Sequence, residues 1–150
     1  MNMTSGSKFS IRQARVSELD FIKAIVDKNK TELGFVTRPA LQFSIQRSEL
    51  YLAVDTSTKT VIGLVHYRHR EDKQTTLYSI VVEQNFRGRG IGKRLVRTLS
   101  QQARKRGQTH ILLRCPQELP ANDFYRAYGF QCTLVEPGKK RALNVWRLGL

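Results

Sequence analysis

The stretch that decides the fold runs from Leu77 to Gln102 and reads LYSIVVEQNFRGRGIGKRLVRTLSQQ. Its first six residues are mostly apolar and end in two valines, which predicts a buried strand. A loop with Gly88, Gly90 and Gly92 follows, and a helical pattern begins directly after it. This order predicts a phosphate-binding turn, because a helix N-terminus offers unpaired N–H groups and a partial positive charge.

The helical pattern after the loop is amphipathic. One arc is apolar and comprises Ile91, Leu95, Val96, Leu99 and Ala103. The opposite arc is polar and comprises Lys93, Arg97, Gln101 and Arg104. No Asp or Glu occurs between Glu83 and Glu118, whereas this interval contains nine Lys and Arg residues. The charge distribution therefore also favours an anion at this turn.

Two common phosphate loops do not fit this turn. A P-loop has a glycine five residues before its Gly-Lys pair and a Ser or Thr after it, but Arg87 and Arg94 stand at those positions. The dinucleotide-binding fingerprint would need a glycine where Lys93 stands and an acidic residue about 20 positions later. A glycine-rich turn with a purely structural role is the remaining alternative.

The rest of the chain predicts a mixed α/β sheet. Alternating or β-branched runs predict strands at Lys8–Ala14, Tyr51–Val54, Val61–Tyr67, Leu77–Val82, Ile111–Cys115, Gln131–Val135 and Ala142–Leu148. Helices are expected from an N-cap at Ser17 to about Lys30, after Pro39, from the glycine-rich loop to about Arg106, and over Asn122–Tyr128. This order predicts an α/β fold with a central, mostly antiparallel sheet of about seven strands flanked by helices.

Length and composition restrict the class of protein. A chain of 150 residues is the size of one domain, 1–150, in which we expect residues 1–7 to be disordered. Its 40% hydrophobic and 25% charged residues are typical of globular proteins. No apolar run reaches the ~20 residues that span a bilayer, and Met1–Ser10 lacks the apolar core of a signal peptide. We therefore expect a cytoplasmic protein without membrane contact.

The cysteines and histidines predict neither a disulfide framework nor a metal site. Cys115 and Cys132 are too few for a disulfide scaffold, and two reduced thiols are favoured over a single bridge. The 3 histidines and 2 cysteines show no spacing that is typical of metal ligands, so no metal is predicted.

The net charge is the unusual feature of the composition. With 26 Lys and Arg against 12 Asp and Glu, the chain carries +14 and attracts a polyanion, a phosphorylated cofactor or an acidic surface. A nucleic acid is the less favoured partner, because the chain has neither an aromatic RNA-binding motif nor a helix-turn-helix pattern. If a nucleic acid does bind, the basic loop with Lys139, Lys140 and Arg141 is the candidate contact.

Two motifs resemble the GNAT acetyltransferase superfamily. The segment from Val82 to Gly92, VEQNFRGRGIG, resembles the acyl-coenzyme A signature R/Q-x-x-G-x-G/A, and Tyr125 to Phe130, YRAYGF, resembles a short helix that ends Tyr-x-x-x-Gly-Phe. Their separation and the element order also fit, so the resemblance covers almost the whole chain. It implies acetyl-CoA as acetyl donor, an amine acceptor on a protein or a small molecule, a monomer or homodimer, and a sheet splayed at the strand before the glycine-rich turn.

The resemblance also implies roles for particular residues. The backbone of Ile80, Val81 and Val82 would pair with the pantetheine arm of the cofactor. The pyrophosphate would be cradled by Arg87, Gly88, Arg89, Gly90, Ile91, Gly92 and Lys93, with the side chains of the two arginines and the lysine as further partners. Tyr125 would protonate the leaving thiolate, because an unperturbed phenol with a pKa of about 10 keeps its proton at neutral pH. Tyr128 is its competitor, and a packing role in the core is the alternative for Tyr125.

The chain departs from the family pattern at three places, of which Gln84, at a position that is often proline, should matter little. The asparagine that commonly contacts pantetheine is replaced by Glu118, and Asn122 is carried over for this contact although it is out of register. Thr75 and Thr76 occupy the strand region where some members keep a carboxylate base, so the base stays open among Glu71, Asp72, His66, Glu83 and unaided loss of the proton. Two alternative functions are a basic nucleic-acid-associated module and a protein that binds coenzyme A without catalysis.

Overall fold

A computed structural model describes residues 8–150, so the disorder predicted for residues 1–7 lies outside the described residues. Its strands are β1 (Phe9–Gln13), β2 (Leu50–Asp55), β3 (Val61–His69), β4 (Gln74–Val82), β5 (His110–Pro116), β6 (Gln131–Glu136) and β7 (Leu143–Gly149). Its helices are α1 (Leu19–Lys28), α2 (Lys30–Leu33), α3 (Arg38–Gln46), α4 (Ile91–Lys105) and α5 (Ala121–Tyr128). Short 3₁₀ turns occupy Val16–Glu18 and Gln84–Phe86.

The strands form one mixed sheet of seven in the order β1-β2-β3-β4-β5-β7-β6. The pairs β1–β2, β2–β3, β5–β7 and β6–β7 are antiparallel, and β4–β5 is parallel. The predicted fold class, a mostly antiparallel α/β sheet of seven strands flanked by helices, is confirmed.

The parallel pairing of β4 with β5 is short. It joins Gln74 to His110, Thr75 to Ile111 and Thr76 to Leu112, although β4 continues to Val82 and β5 to Pro116. The parallel register therefore involves only the first three residues of each strand, and the splay implied by the resemblance stays a prediction. β4 begins three residues earlier than its apolar pattern predicts, because the backbone N–H of Arg70 donates to Gln74 O at 2.7 Å and closes a tight turn after β3.

The described residues form two compact units, 8–67 with Ser79–Leu99 and Arg68–Tyr78 with Ser100–Leu150. In the first unit, α1 and α3 bury apolar side chains against β2 and β3. The core cluster contains Ala14, Ile22, Ile25, Val26, Leu41, Ile45, Leu50, Leu52, Val54, Leu64 and Val81. Each fully buried Leu or Ile contributes roughly 1.5–3 kcal/mol relative to exposure, so this burial fixes both helices on the sheet.

The first helix does not begin at the predicted cap. Ser17 lies inside the 3₁₀ turn Val16–Glu18, and Glu18 is the N-cap residue of α1. The Glu18 carboxylate accepts a hydrogen bond from Arg15 N at 2.8 Å and pairs with Arg12 at 2.7 Å, so it holds the turn. The helix predicted to reach about Lys30 ends at Lys28, and α2 continues after Asn29.

The second unit packs β5, β7 and α5 around Ile111, Leu113, Val145 and Trp146, all nearly inaccessible to solvent. Strand β6 forms the edge of the sheet and is largely exposed along its length. Both cysteines carry free thiols, Cys115 buried on β5 and Cys132 exposed on β6.

Candidate active site

The glycine-rich turn joins β4 to α4 within the first unit. Gly88 and Gly90 have φ values of +81° and +82°, a backbone conformation that side chains with a Cβ rarely adopt. A Cβ built at either glycine would meet no heavy atom within 4 Å. The positive φ therefore favours glycine at both positions, whereas crowding by other protein atoms does not. The turn is open on the sides where a Cβ would point.

Gly63 of β3, which no sequence motif indicated, positions α4. A Cβ on Gly63 of β3 would lie 2.9 Å from Val81 O and 3.4 Å from side-chain atoms of both Ile91 and Leu95. The missing side chain lets the first turn of α4 pack directly on the sheet, where Ile91 and Leu95 are buried. The available signal was a glycine inside a strand pattern, which often marks a close approach.

The first turn of α4 provides the donors of the site. The N–H groups at the start of an α-helix have no intrahelical acceptor, and the first i to i−4 bond here runs from Arg94 N to Gly90 O at 3.0 Å. The helix dipole adds a partial positive charge at this end. Backbone N–H groups around Gly90, Ile91 and Gly92 are therefore suited to hold an anion.

The predicted cationic partners surround this turn. Arg87, Arg89 and Lys93 are exposed. The Arg87 Nε donates to Val82 O at 3.0 Å, which uses one of the five N–H groups of its guanidinium. The Arg89 guanidinium lies 5.1 Å from the centre of the Phe86 ring. An open turn with left-handed glycines, helix N–H groups and three cations fits the diphosphate of coenzyme A.

The strand segment predicted to pair with pantetheine is the end of β4. Ile80 and Val82 are half-buried and Val81 is buried. All three lie beyond the Gln74–Thr76 segment that pairs with β5. Their pairing with a cofactor arm stays a prediction.

The second motif forms α5 and its C-terminus in the second unit. Gly129 ends the helix with φ +123°, and Phe130 N donates to Tyr125 O at 3.0 Å. The Tyr125 side chain is 7% exposed, and its ring centre lies 5.7 Å from that of Phe130 and 6.3 Å from that of Trp146. The neighbouring Tyr128 is half-buried. The sequence pattern Tyr-x-x-x-Gly-Phe thus describes one packed helix end, and the catalytic role of Tyr125 stays a prediction.

Asn122, the other predicted cofactor contact, is buried and bound within the protein. Its Nδ2 donates to Leu119 O at 2.7 Å, to Pro116 O at 2.9 Å and to Gln117 O at 3.2 Å. Its Oδ1 accepts from Trp146 Nε1 at 2.9 Å and from Asn144 Nδ2 at 3.0 Å. The amide therefore joins the loop before α5 to β7, and its predicted contact with pantetheine stays a prediction.

The groups considered as a base lie in distinct environments. Burial lowers the pKa of His66 to about 4, and its Nε2 lies 2.7 Å from Ser44 Oγ, so the imidazole is neutral at pH 7. Glu83 lies 3.5 Å from Lys28, and Asp72 accepts a hydrogen bond from Gln74 N at 3.1 Å. Among the described residues of 8–150, no group of three or more His, Cys, Asp and Glu side chains could hold a metal ion.

The fold and the turn together define a class of α/β protein in which a seven-stranded mixed sheet leads through a glycine-rich loop into a helix N-terminus, a geometry suited to an anion. The sequence profile of the acetyltransferase (GNAT) family matches residues 19–130. The chain belongs to this family.

Curated relatives match part of the chain. N-acetyltransferase 8B of Rattus norvegicus is 38% identical over 77 residues, which are 51% of this chain and 33% of that protein. The chain spans between 33% and 44% of the length of the curated relatives that it matches. In the described part of the chain, no helix has the length and apolar composition needed to cross a membrane.

Solved structures share the fold at low sequence identity. Ard1 from Thermoplasma volcanium has a TM-score of 0.83 at 16% identity, covering 95% of this chain and 97% of that one. N-acetylglutamate synthase from Neisseria gonorrhoeae, complexed with coenzyme A and N-acetyl-glutamate, has a TM-score of 0.81 at 18% identity, covering 97% of this chain and 36% of that one.

Proposed function

We propose that the chain is an acetyl-CoA-dependent N-acetyltransferase that acetylates a primary amine by direct attack on the thioester. The observation that carries the proposal is the turn with left-handed Gly88 and Gly90 leading into α4, in a chain of the GNAT family. The acceptor is a protein amine or a small molecule. A small polycation is disfavoured, because a net charge of +14 repels it. The single-domain organisation, the cytoplasmic location and the oligomeric state stay predictions.

The turn binds and orients the donor in this proposal. The N–H groups from Arg87 through Lys93 hold the pyrophosphate, and the side chains of Arg87, Arg89 and Lys93 add charge-assisted hydrogen bonds. The backbone of Ile80, Val81 and Val82 pairs with the pantetheine arm as an added strand would. When bound, acetyl-CoA supplies a thioester carbonyl that a neutral amine can attack.

The proposed acid is the phenol of Tyr125. Acetyl transfer to an amine releases a thiolate, and a general acid that delivers a proton to the sulfur lowers the barrier to its departure. The competing role of Tyr125 is packing, since its ring contacts Phe130 and Trp146. A substitution that keeps the ring and removes the hydroxyl separates the two roles.

Donor binding is tested by thermal unfolding with acetyl-CoA. A ligand that binds only the folded state raises the melting temperature by mass action, so millimolar acetyl-CoA should raise it by several degrees. Gly90→Val should abolish the shift, because valine cannot adopt φ +82° without strain. Gly149→Ala is the control that leaves the turn intact. No shift with the folded wild-type chain refutes the donor assignment.

Turnover is tested by release of free thiol with a panel of primary amines. Thiol release that depends on one amine class supports the enzyme and identifies its acceptor. A thermal shift with acetyl-CoA and no turnover with any amine would instead support the alternative, a protein that binds coenzyme A without catalysis.

A further inference from the structure

The outer surface of α4 carries a stripe of positive charge that begins at Lys93, the last residue of the candidate phosphate turn, and continues along the helix. Successive residues of an α-helix are about 100° apart, which places five cations within an arc of about 120°. All five are exposed, and we define them as the cationic face: Lys93, Arg94, Arg97, Arg104 and Lys105. Gln101 lies in the same arc, and the face extends over about 18 Å along the helix axis.

The cations of this face are not neutralised by the protein. Among the side chains that the structure describes, none of the five forms an ion pair with a carboxylate. Arg114 and Arg141 differ in this respect, since they pair with Glu136 at 2.7 Å and Glu118 at 2.6 Å. No acidic residue occurs in the sequence from 84 to 117 either. Like charges this close repel one another, and an external polyanion or solvent ions would relieve the repulsion.

The composition of the face selects among polyanions. Binding to a lipid surface uses apolar side chains that insert beside the basic ones, and binding to a single strand uses aromatic side chains for stacking. The arc from Lys93 to Lys105 holds only Lys, Arg and Gln. A duplex backbone needs neither kind of anchor, and double-stranded DNA carries one negative charge per ~1.7 Å of helix axis. Complementarity of charge therefore favours a duplex.

We propose that the cationic face of α4 binds the phosphodiester backbone of double-stranded DNA without sequence preference. The face contacts phosphates on the outside of the duplex, because the opposite side of α4 is buried through Leu95, Leu99 and Ala103. Five phosphate contacts give a slope of log affinity against log salt of about −4.5, which is an affinity loss of about 500-fold between about 50 and 200 mM salt. The proposal does not depend on acetyl transfer.

The test compares two triple variants with the wild type on a short mixed-sequence DNA duplex, by fluorescence anisotropy across salt concentrations. Arg97→Gln/Arg104→Gln/Lys105→Gln removes three cations of the face and keeps helix-forming side chains. Lys139→Gln/Lys140→Gln/Arg141→Gln removes the same formal charge from the loop between β6 and β7. Lys93 is left in place because it belongs to the candidate phosphate turn.

The expected result is a slope reduced from about −4.5 to about −2 in the α4 variant and unchanged in the loop variant. Equal losses in both variants would overturn the proposal, because the attraction would then be a property of net charge. Equal affinity for phosphatidylserine vesicles, or tighter binding of a single-stranded RNA, would overturn it as well. Thermal shifts with acetyl-CoA are measured on the same samples: a wild-type chain that binds DNA and shows no shift refutes the donor site alone.

Discussion

Replacing Asn122 with alanine separates a structural role from a cofactor contact. The change removes the partner of Trp146 Nε1, a donor on a side chain that is 1% exposed. A buried donor left without an acceptor costs about 1–3 kcal/mol. The bonds to Gln117 O and Asn144 are also lost, each worth about 0.5–1.5 kcal/mol. The oxygens of Pro116 and Leu119 add little to this loss, because Leu119 N still donates to Pro116 O and the backbone N–H of residue 122 still donates to Leu119 O.

The expected loss in the free energy of unfolding is therefore about 2–6 kcal/mol, with the indole of Trp146 as the largest contribution. For a domain of this size, each kcal/mol lowers the melting temperature by roughly 2–4 °C, so a decrease of about 4–24 °C is expected. The assay is urea denaturation followed by tryptophan fluorescence, with thermal unfolding in parallel. The matched control is Asn144→Ala, which removes a donor to the same oxygen and leaves Trp146 paired.

A double-mutant cycle with Trp146→Phe isolates the decisive bond. Because Phe has no N–H to orphan, Asn122→Ala should cost at least about 1 kcal/mol less in that background. The reasoning is refuted if Asn122→Ala loses less than about 1 kcal/mol while its KM for acetyl-CoA rises tenfold. That pattern would make Asn122 a cofactor contact.

The remaining predictions concern three other positions. Tyr125→Phe should slow turnover at least tenfold with little change in the Kd for acetyl-CoA, whereas equal turnover would move the acid to Tyr128 or water. Gly63→Ala should destabilise the fold by about 1–3 kcal/mol, since its Cβ would lie 2.9 Å from Val81 O, and a neutral result in urea denaturation would contradict this packing. Burial lowers the pKa of His66 from 6.5 to about 4 in the folded chain. The unfolded chain therefore takes up this proton at a higher pH than the folded chain does, and the free energy of unfolding should fall by about 3 kcal/mol as the pH drops from 6.5 to 4. His66→Gln should flatten this dependence in urea titrations, and an identical slope in the variant would exclude His66 as its cause.

Much of the fold could be predicted from local patterns. The seven strands, the glycine-rich turn and α4 follow from periodicity over neighbouring residues, since a period of 2 or 3.6 decides which side chains share a face. The start of α1 could not be predicted in this way, because Glu18, and not Ser17, holds the turn before the helix through its contacts with Arg12 and Arg15. The extra residues of β4 likewise depend on a turn bond between Arg70 and Gln74.

The sequence by itself determined the order of elements, the position of the glycine-rich turn and the excess of positive charge. Only the tertiary structure decided that Asn122 is bound to Trp146, that Ser44 meets His66, and that Gly63 lies under α4. The hydrogen-bonded partners among these are more than 20 residues apart in the chain. Local periodicity sets which face of an element is apolar, but the contacts between particular side chains arise when packing brings distant elements together.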